Sequence, residues 1–520
     1  MTVLEEAMIM RRRLRSRMEV WAGIVPMFLL FATPTPAAAA TAPAEGVGPV
    51  SLTVLGPTAV VDTSGGHVGA VEALATRDQA DTADDPGRYV RFEGPDVAYS
   101  GYRTYTLPAT VASSSVTTIA LTANFRGPTA ARRPWIWSIF DWTHDVWVRL
   151  GTQNHCGGDA GTEQWPCDDL DRTPWKYVRY NVIHAPDASL ADFVNGGTGE
   201  IRVRLESSTT GSAKLDWEAL EVYSNSGEVA APWTPPVRIR WQWQLQGAPG
   251  KHEATGGINV GVCRPTWRGG DCVRPDVFDI DLYVDPSISG RFGYVVETAA
   301  LDAIHTSGRH AIGYVTAGDA ERWRPDYEQY VDFDARCGGC LLGQPFSRRF
   351  PDEYWANFSP GKGRFNFMLQ MLRARTDRVA ATGFDGIEYD IVDTFAQGKE
   401  VTGFGVDADT QLAYNTALAE MAHADGLSVA LKNDGLQIPE LLPYFDYAIN
   451  EQCFQYDECN GGGYPAPAWR AFVHAGKAVF QAEYRLDPRD FCRTANRWDF
   501  NSILKSRDFS LYGVPWTPCR

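Results

Sequence analysis

The stretch Gly383-Phe384-Asp385-Gly386-Ile387-Glu388-Tyr389-Asp390-Ile391-Val392-Asp393 places four carboxylates in a segment that otherwise reads as a buried strand. Side chains alternate faces along a strand. Ile387, Tyr389 and Ile391 therefore share one face, and Glu388 and Asp390 share the other. Carboxylates are seldom buried unless paired or used chemically. Two on one face, at the C-terminal end of a strand, point to acid/base or nucleophilic work. The competing reading is a surface strand with solvated acids, which the apolar flanking segments oppose. Asp385 and Asp393 fall off the inward face or beyond the strand and read as structural.

Working outward, strands alternate with helical patterns over residues 238–520. The expected strands are Ile239–Leu245, Val277–Val284, Ala311–Thr316, Gly386–Val392, Ser428–Lys432, Tyr447–Glu451 and Ala478–Tyr484, with a weaker eighth near Phe509–Val514. Phe365, Met368, Leu369, Leu372 and Val379 recur at helical spacing, and Gly383 follows as a stop. Leu412, Ala419 and Ala422 repeat the pattern before Gly426. Eight strand–helix units predict a (β/α)8 TIM barrel. A doubly wound open sheet is disfavoured because no glycine-rich phosphate loop opens the first unit.

Residues 51–225 read as all-β. Short runs such as Val116–Leu121, Trp135–Ile139, Val146–Leu150, Ile201–Leu205 and Leu215–Val222 are separated by Gly, Pro and Asp turns. A jelly-roll sandwich is expected there, as a possible carbohydrate-binding module. Trp135, Trp137, Trp142 and Trp147 are candidates for a glycan platform, although Trp135 and Trp137 at alternating spacing fit a core better. Residues 41–50 and 226–237 read as linkers. Residues 1–40, with Arg11, Arg12, Arg13, Arg15 and Arg17 before an apolar run and Ala37–Ala40, read as a secretory signal peptide. A secreted protein with no membrane attachment after signal removal is expected.

The 520-residue chain has a formal net charge of −16, which argues against nucleic-acid binding and suits a cationic partner. Ten cysteines point to an oxidising compartment. Sequence leaves their connectivity open. The simplest pairing is local: Cys156 with Cys167, Cys263 with Cys272, Cys337 with Cys340, Cys453 with Cys459, and Cys492 with Cys519. Cys337 and Cys340 have redox or zinc spacing, but no second such pair or His pair accompanies them, so a structural disulfide is expected.

In a barrel of this kind the site gathers at the C-terminal strand ends. Those ends carry Trp243, Asp281, Tyr283, Tyr314, Glu388, Asp390, Lys432, Asn433, Glu451, Glu483 and Tyr484. No His cluster accompanies the acids, so no metal and no cofactor are expected. No GxSxG elbow is present. Paired carboxylates among aromatic side chains suit glycoside hydrolysis: one carboxyl protonates the leaving oxygen, and the other attacks the anomeric carbon or activates water. Structural readings compete for several residues. Asp281 and Asp285 could cap a loop, Trp243 could be core, and Lys432 could pair with Glu388 or Glu483 without touching substrate.

The same residues carry a family resemblance. Gly383–Asp393, Leu431-Lys432-Asn433, Asn450-Glu451-Gln452-Cys453 and Ala482-Glu483-Tyr484 resemble the motifs of glycoside hydrolase family 114, the endo-α-1,4-polygalactosaminidases. Trp241–Leu245, Asp279–Asp281, Tyr314–Gly318 and Trp323–Asp326 fit the pattern in the same order. The resemblance implies a barrel that cleaves internal bonds of an α-1,4-linked galactosamine polymer, a cationic polysaccharide. It places Asp390 at the acid ending the fourth strand and Glu451 at the acid ending the sixth. The site is similar to α-galactosidase-like barrels, where the fourth-strand acid is the nucleophile, which implies retention. Asp390 and Glu451 are then the expected catalytic pair, and Trp243, Asp281, Tyr283, Tyr314, Glu388, Lys432, Asn433, Glu483 and Tyr484 the expected substrate contacts. Glu388 or Glu483 is the expected reader of the sugar amine. The chain departs from the pattern after Gly318, where either Asp319 or Glu321 could fill an acidic position. The segments 197–205 and 215–223 resemble the last strands of galactose-binding-like modules. A monomer is expected. The alternatives are a non-catalytic glycan-binding protein on a barrel scaffold, and a transglycosidase using the same residues.

Overall fold

The computed structural model describes residues 50–128, 134–153, 175–225, 229–289, 294–459 and 468–520. The expected signal peptide and most of the first linker lie outside them. So do Cys156 and Cys167, and the bridge expected between those two cysteines therefore falls outside the described residues.

The N-terminal part is two antiparallel sheets. One follows the order Gly66–Val68, Val90–Gly94, Gly211–Asn225, Val116–Arg126, Lys176–Asn181, with Val50–Leu55 also paired to Gly211–Asn225. The other runs Ala59–Ser64, Ser100–Thr106, Glu200–Ser207, Trp135–Asp141, Val146–Thr152. Period-two patterning decides their faces. In Glu200–Ser207, Ile201, Val203 and Leu205 are buried, while Arg202 and Arg204 point outward. Trp135 and Trp137 are fully buried between the sheets, so they are core. Trp142 and Trp147 lie outside but are covered by guanidinium groups, Arg202 over Trp142 at 4.5 Å and Arg204 over Trp147 at 4.8 Å. None of the four is a bare stacking platform.

The C-terminal part has eight parallel strands in sequential order: Trp241–Gln244, Val277–Asp281, His310–Thr316, Gly386–Asp390, Ser428–Lys432, Tyr447–Glu451, Val479–Glu483 and Asn501–Leu504. The first and last lie side by side. Trp241 Nε1 donates to Asn501 O at 2.7 Å, and Ile239 N donates to Asn501 Oδ1 at 3.0 Å. This is the closure of a barrel. The helix Arg364–Thr382 buries Met368, Leu372 and Val379 and ends at Gly383, whose φ of 101° only glycine adopts readily.

Three expectations are corrected. The eighth strand is Asn501–Leu504, not Phe509–Val514. The latter begins in a turn in which Asp508 Oδ1 accepts from Ser510 N and Oγ, and Leu511 O then accepts from Leu245 N across the barrel rim. The second strand stops at Asp281, because Asp281 Oδ1 accepts the Tyr283 N–H at 2.8 Å and turns the chain. Between the first and second strands the described residues form a single 3-10 turn, Glu253–Thr255, and a hairpin of Arg264–Thr266 with Gly269–Val273, not a crossover helix.

The two parts are joined by more than a linker. The sandwich sits on the barrel helices Tyr327–Cys337 and Arg364–Thr382 through buried polar contacts. Arg378 pairs with Glu221 at 2.9 Å, Arg149 with Asp332 at 2.8 Å, and Lys176 with Glu328. Asn181 exchanges two hydrogen bonds with the Gln329 side chain, at 2.6 and 2.8 Å. Glu221 is shared with Arg179. Disulfides join Cys263–Cys272, Cys337–Cys340, Cys453–Cys459 and Cys492–Cys519, as the spacing predicts. The described residues thus hold four of the five expected bridges, and the pairing of Cys156 with Cys167 stays an expectation from spacing.

Candidate active site

The alternation read in Gly386–Asp390 sets the site. Tyr389 points outward, its hydroxyl 2.6 Å from Thr376 Oγ1 on the packed helix, while Glu388 and Asp390 point into the barrel. Lys432, at the end of the fifth strand, collects three carboxylates. Its Nζ lies 2.7 Å from Asp390 Oδ1, 3.1 Å from Glu451 Oε2 and 3.6 Å from Glu388 Oε1. The Trp243 ring lies beneath it, 5.0 Å from Nζ to the ring centroid.

Asp390 also accepts from Tyr314 OH at 2.9 Å and from its neighbour's N–H, that of Ile391, at 2.8 Å. Burial alone would push its carboxyl up. The Lys432 charge and these donors outweigh burial and hold it below the usual carboxylate range, so it is ionised. Glu451 receives Tyr484 OH on Oε1 and Asn433 Nδ2 on Oε2 at 3.2 Å, and its own N–H donates to Asn433 Oδ1 at 2.9 Å. Burial and Glu451 keep the Tyr484 phenol protonated, so it remains a donor. Asp390 and Glu451 keep side-chain exposures of 21% and 16%, against 2% for Lys432 and none for Glu388, so substrate can reach the first two.

Each of the three strand ends turns in the left-handed region directly after its site residue. Ile391, Asn433 and Gln452 have φ values of 60°, 55° and 58° and follow Asp390, Lys432 and Glu451. For β-branched Ile391 this is a strained conformation of the kind that gathers at functional sites.

Below the mouth, Glu388 faces Asp279, which is also fully buried. Burial raises Glu388 to about 7 despite Lys432, and burial with the Glu388 charge raises Asp279 well above its usual range. Glu483 is buried, accepts Phe454 N at 2.9 Å and Gln481 Nε2 at 2.8 Å, and is raised to about 8, chiefly by burial. Glu388 and Glu483 thus face protein groups, Lys432 and the backbone after Glu451 respectively, and not the open mouth.

Two expected substrate contacts stand apart. Asp281 accepts from the two terminal guanidinium nitrogens of Arg324, at 2.6 and 2.8 Å, and Arg324 Nε also holds Glu321. The Tyr283 hydroxyl accepts from Arg378 at 3.2 Å, at the seam with the sandwich. Sequence reading did not single out Glu353. It sits opposite Glu321 in a small sheet after the third strand, beside Asp319. Burial, with Asp319 and Glu321 as neighbours, raises Glu353 to about 11. Asp319 and Glu321, the two alternatives that the sequence leaves open, both lie in this sheet and are buried. Only the antiparallel pairing of Asp319–Glu321 with Glu353–Ala356 brings Glu353 there, and no local pattern announces it. Among the described residues no group of three or more His, Cys, Asp or Glu could hold a metal ion. No described helix is long and apolar enough to cross a membrane.

The model of glycoside-hydrolase family GH114 matches residues 224–517, more than half of the chain, and spans all eight strands and the Lys432 cluster. The chain belongs to glycoside-hydrolase family GH114. It is accordingly an O-glycosyl hydrolase. The model of the N-terminal glycosyl-hydrolase-114-associated domain matches residues 74–217. No curated protein matches the chain. Among solved structures, Ega3 of Aspergillus fumigatus in complex with galactosamine is similar at 25% identity, over 54% of this chain and 97% of that one, with a TM-score of 0.41. The α-galactosidase TtGalA of Thermus thermophilus matches at 11% identity over 89% and 92% of the two chains, TM-score 0.30. The α-N-acetylgalactosaminidase NagBb of Bifidobacterium bifidum, in its GalNAc complex, matches at 10% identity over 84% and 80%, TM-score 0.28.

Proposed function

We propose that this GH114 chain is a secreted endo-hydrolase of α-1,4-linked, galactosamine-containing polysaccharide, with Asp390 as nucleophile and Glu451 as general acid/base. The observation that carries the assignment is the Lys432 cluster. It holds one carboxylate ionised and a second beside it, both open to the mouth, while Asp279, Glu388 and Glu483 are buried and Asp281 is taken by Arg324. Asp390 attacks the anomeric carbon as Glu451 gives its proton to the leaving oxygen. Glu451 then takes a proton from the water that releases the sugar.

Retention is supported by the shared lysine. Asp390 Oδ1 and Glu451 Oε2 lie 2.7 and 3.1 Å from one nitrogen. Their separation is therefore at most about 6 Å, nearer the 5–5.5 Å of retaining enzymes than the 6.5–9.5 Å of inverting ones. Asp319, Glu321 and Glu353, buried on the Asp390 side of the site, make that side acidic, which suits an unacetylated amine. The sandwich, read as a jelly roll, serves in this proposal as a fixed support for the barrel helices. The disulfides fit an oxidising, extracellular setting.

The test is hydrolysis of purified polygalactosamine by the full chain and by Asp390→Asn and Glu451→Gln. Each substitution should lower turnover by at least about 10²-fold with an unchanged melting curve, and early product should be the α-anomer by NMR. Near-normal turnover of folded Asp390→Asn would overturn the nucleophile. Early β-anomer would overturn retention.

A further inference from the structure

The barrel interior holds two acids that the proposed reaction does not use. Inner layers of such a barrel are built from alternate strands and are normally filled by branched apolar side chains. Here Asp279 of the second strand and Glu388 of the fourth meet inside, both without exposed surface. Each carboxyl lies within hydrogen-bond reach of the other. Among the described residues no N–H or hydroxyl donates to any of their four oxygens.

Two carboxylates in contact do not both ionise in a dry interior, so the pair holds a proton. Burial and the Glu388 charge raise Asp279 well above its usual range. The proton therefore rests on Asp279, which donates it to Glu388. Burial raises Glu388 only to about 7, because Lys432 Nζ lies 3.6 Å from its Oε1. Above neutrality the pair is thus a single negative charge beneath Lys432. The titratable groups that face Glu388 are Asp279, Asp390 of its own strand, Lys432 of the fifth, Glu451 and Tyr447 of the sixth, and Tyr484 of the seventh. Burial keeps both phenols protonated, which leaves Lys432 as the cation among them.

That charge bears on a conflict within the catalytic pair. Glu451 must hold a proton for the leaving oxygen, yet Lys432 Nζ lies 3.1 Å from Glu451 Oε2, and a cation so close favours a carboxylate. Lys432 also faces Asp390 at 2.7 Å. With Glu388 ionised as well, one positive charge meets two negative ones, and a third on Glu451 is opposed. In the first step Asp390 bonds to the anomeric carbon and loses its charge as an ester. The bond from that carbon to the leaving oxygen breaks, and Glu451 gives that oxygen its proton and becomes charged. The number of negative charges around Lys432 is unchanged, and Glu388 stays constant throughout. Without Glu388, Lys432 would face Asp390 alone and would draw the Glu451 proton off before substrate arrives.

We propose that Glu388, partnered by protonated Asp279, is a positioning residue whose buried charge beneath Lys432 keeps Glu451 protonated and ready to act as the acid. The proposal rests on the reading of Asp390 and Glu451 as the catalytic pair. The experiment is the pH dependence of kcat/KM on purified polygalactosamine, with a melting curve for each variant of the full chain. In Glu388→Gln the alkaline limb should move to lower pH by roughly 1–2, and activity on the acid side should be largely kept. Asp279→Asn, whose amide still donates to Glu388, should leave the limb in place. The double variant Glu388→Gln/Asp279→Asn, whose amides satisfy each other, should move the limb as Glu388→Gln does, and it serves as the charge-free form if Glu388→Gln alone does not fold. A pair with a structural role only would lower the melting temperature and leave the limb unmoved. An unmoved limb in the folded double variant, or an equal displacement in Asp279→Asn, would overturn the proposal. Glu451→Gln separates the two readings. If it is folded and impaired while the limb stays unmoved in the charge-free variants, this proposal falls alone. Near-normal turnover by folded Glu451→Gln would overturn the catalytic reading and this proposal with it.

Discussion

Lys432 Nζ lies 2.7 Å from Asp390 Oδ1, and that ion pair is the main reason a largely enclosed carboxyl at the fourth strand end is ionised. Lys432 is itself held charged, since three carboxylates outweigh the cost of its burial. The dependence is uneven: Lys432 is the largest stabiliser of the Asp390 charge, whereas Lys432 also draws on Glu451 and Glu388.

Lys432→Met should therefore do more than slow the reaction. Without the lysine, burial dominates and the Asp390 carboxyl rises. The acid limb of the kcat/KM profile should move to higher pH, and turnover should fall by at least about 10²-fold. A pH–rate profile checks this. An unmoved acid limb would mean that Asp390 does not govern it.

Glu483 gives a stability prediction. Its folded value is about 8, above the ordinary value of about 4.3 in the unfolded chain. The folded state holds the extra proton, so this stabilisation is complete below about 4.3 and lost as pH rises through about 8. The melting temperature of the parent should fall across that window. Glu483→Gln, which keeps an acceptor for Phe454 N without a charge, should flatten the fall. Equal slopes by calorimetry would refute the assignment.

Glu221 predicts the opposite sign at the seam between sandwich and barrel. Against the pull of burial, Arg179 and Arg378 hold it at about 2. Its contribution is present above about 4.3 and lost as pH falls toward about 2. Glu221→Gln leaves two buried guanidinium groups without their carboxylate, and should destabilise the protein by roughly 3–5 kcal/mol near neutral pH. The difference from the parent should shrink in acid. Denaturant melts at pH 7 and pH 3 measure both.

The Cys453–Cys459 bridge closes the loop directly after Glu451, and Phe454 N in that loop binds Glu483. A short closed loop stabilises modestly through the unfolded chain. Replacing both cysteines by alanine should lower kcat/KM several-fold more than the loss of melting temperature explains, because the backbone behind Glu451 is released. Unchanged kcat/KM in a destabilised double variant would show the bridge to be structural alone.

Local pattern carried much of this protein. Period-two alternation placed Glu388 and Asp390 inward, and helical spacing followed by Gly383 located Arg364–Thr382. Cysteine spacing anticipated four bridges in the described residues, while Cys156 and Cys167 lie outside them. These features depend on neighbours in the chain, and a sequence states neighbours directly. Tertiary structure decided the rest. Asn501–Leu504 is a strand because the barrel needs an eighth member beside Trp241–Gln244, not because its own residues favour one. Asp281 and Asp390 look alike as strand-end acids, yet Arg324 takes the first and Lys432 the second. Glu353 joins Asp319 and Glu321 only through pairing with a strand distant in sequence. The sandwich packs directly on the barrel helices through Glu221, Arg378 and Asn181, whose partners lie far along the chain. Which acid is ionised depends on which cation reaches it and how much water is excluded. Both are properties of through-space packing, which a linear pattern does not encode.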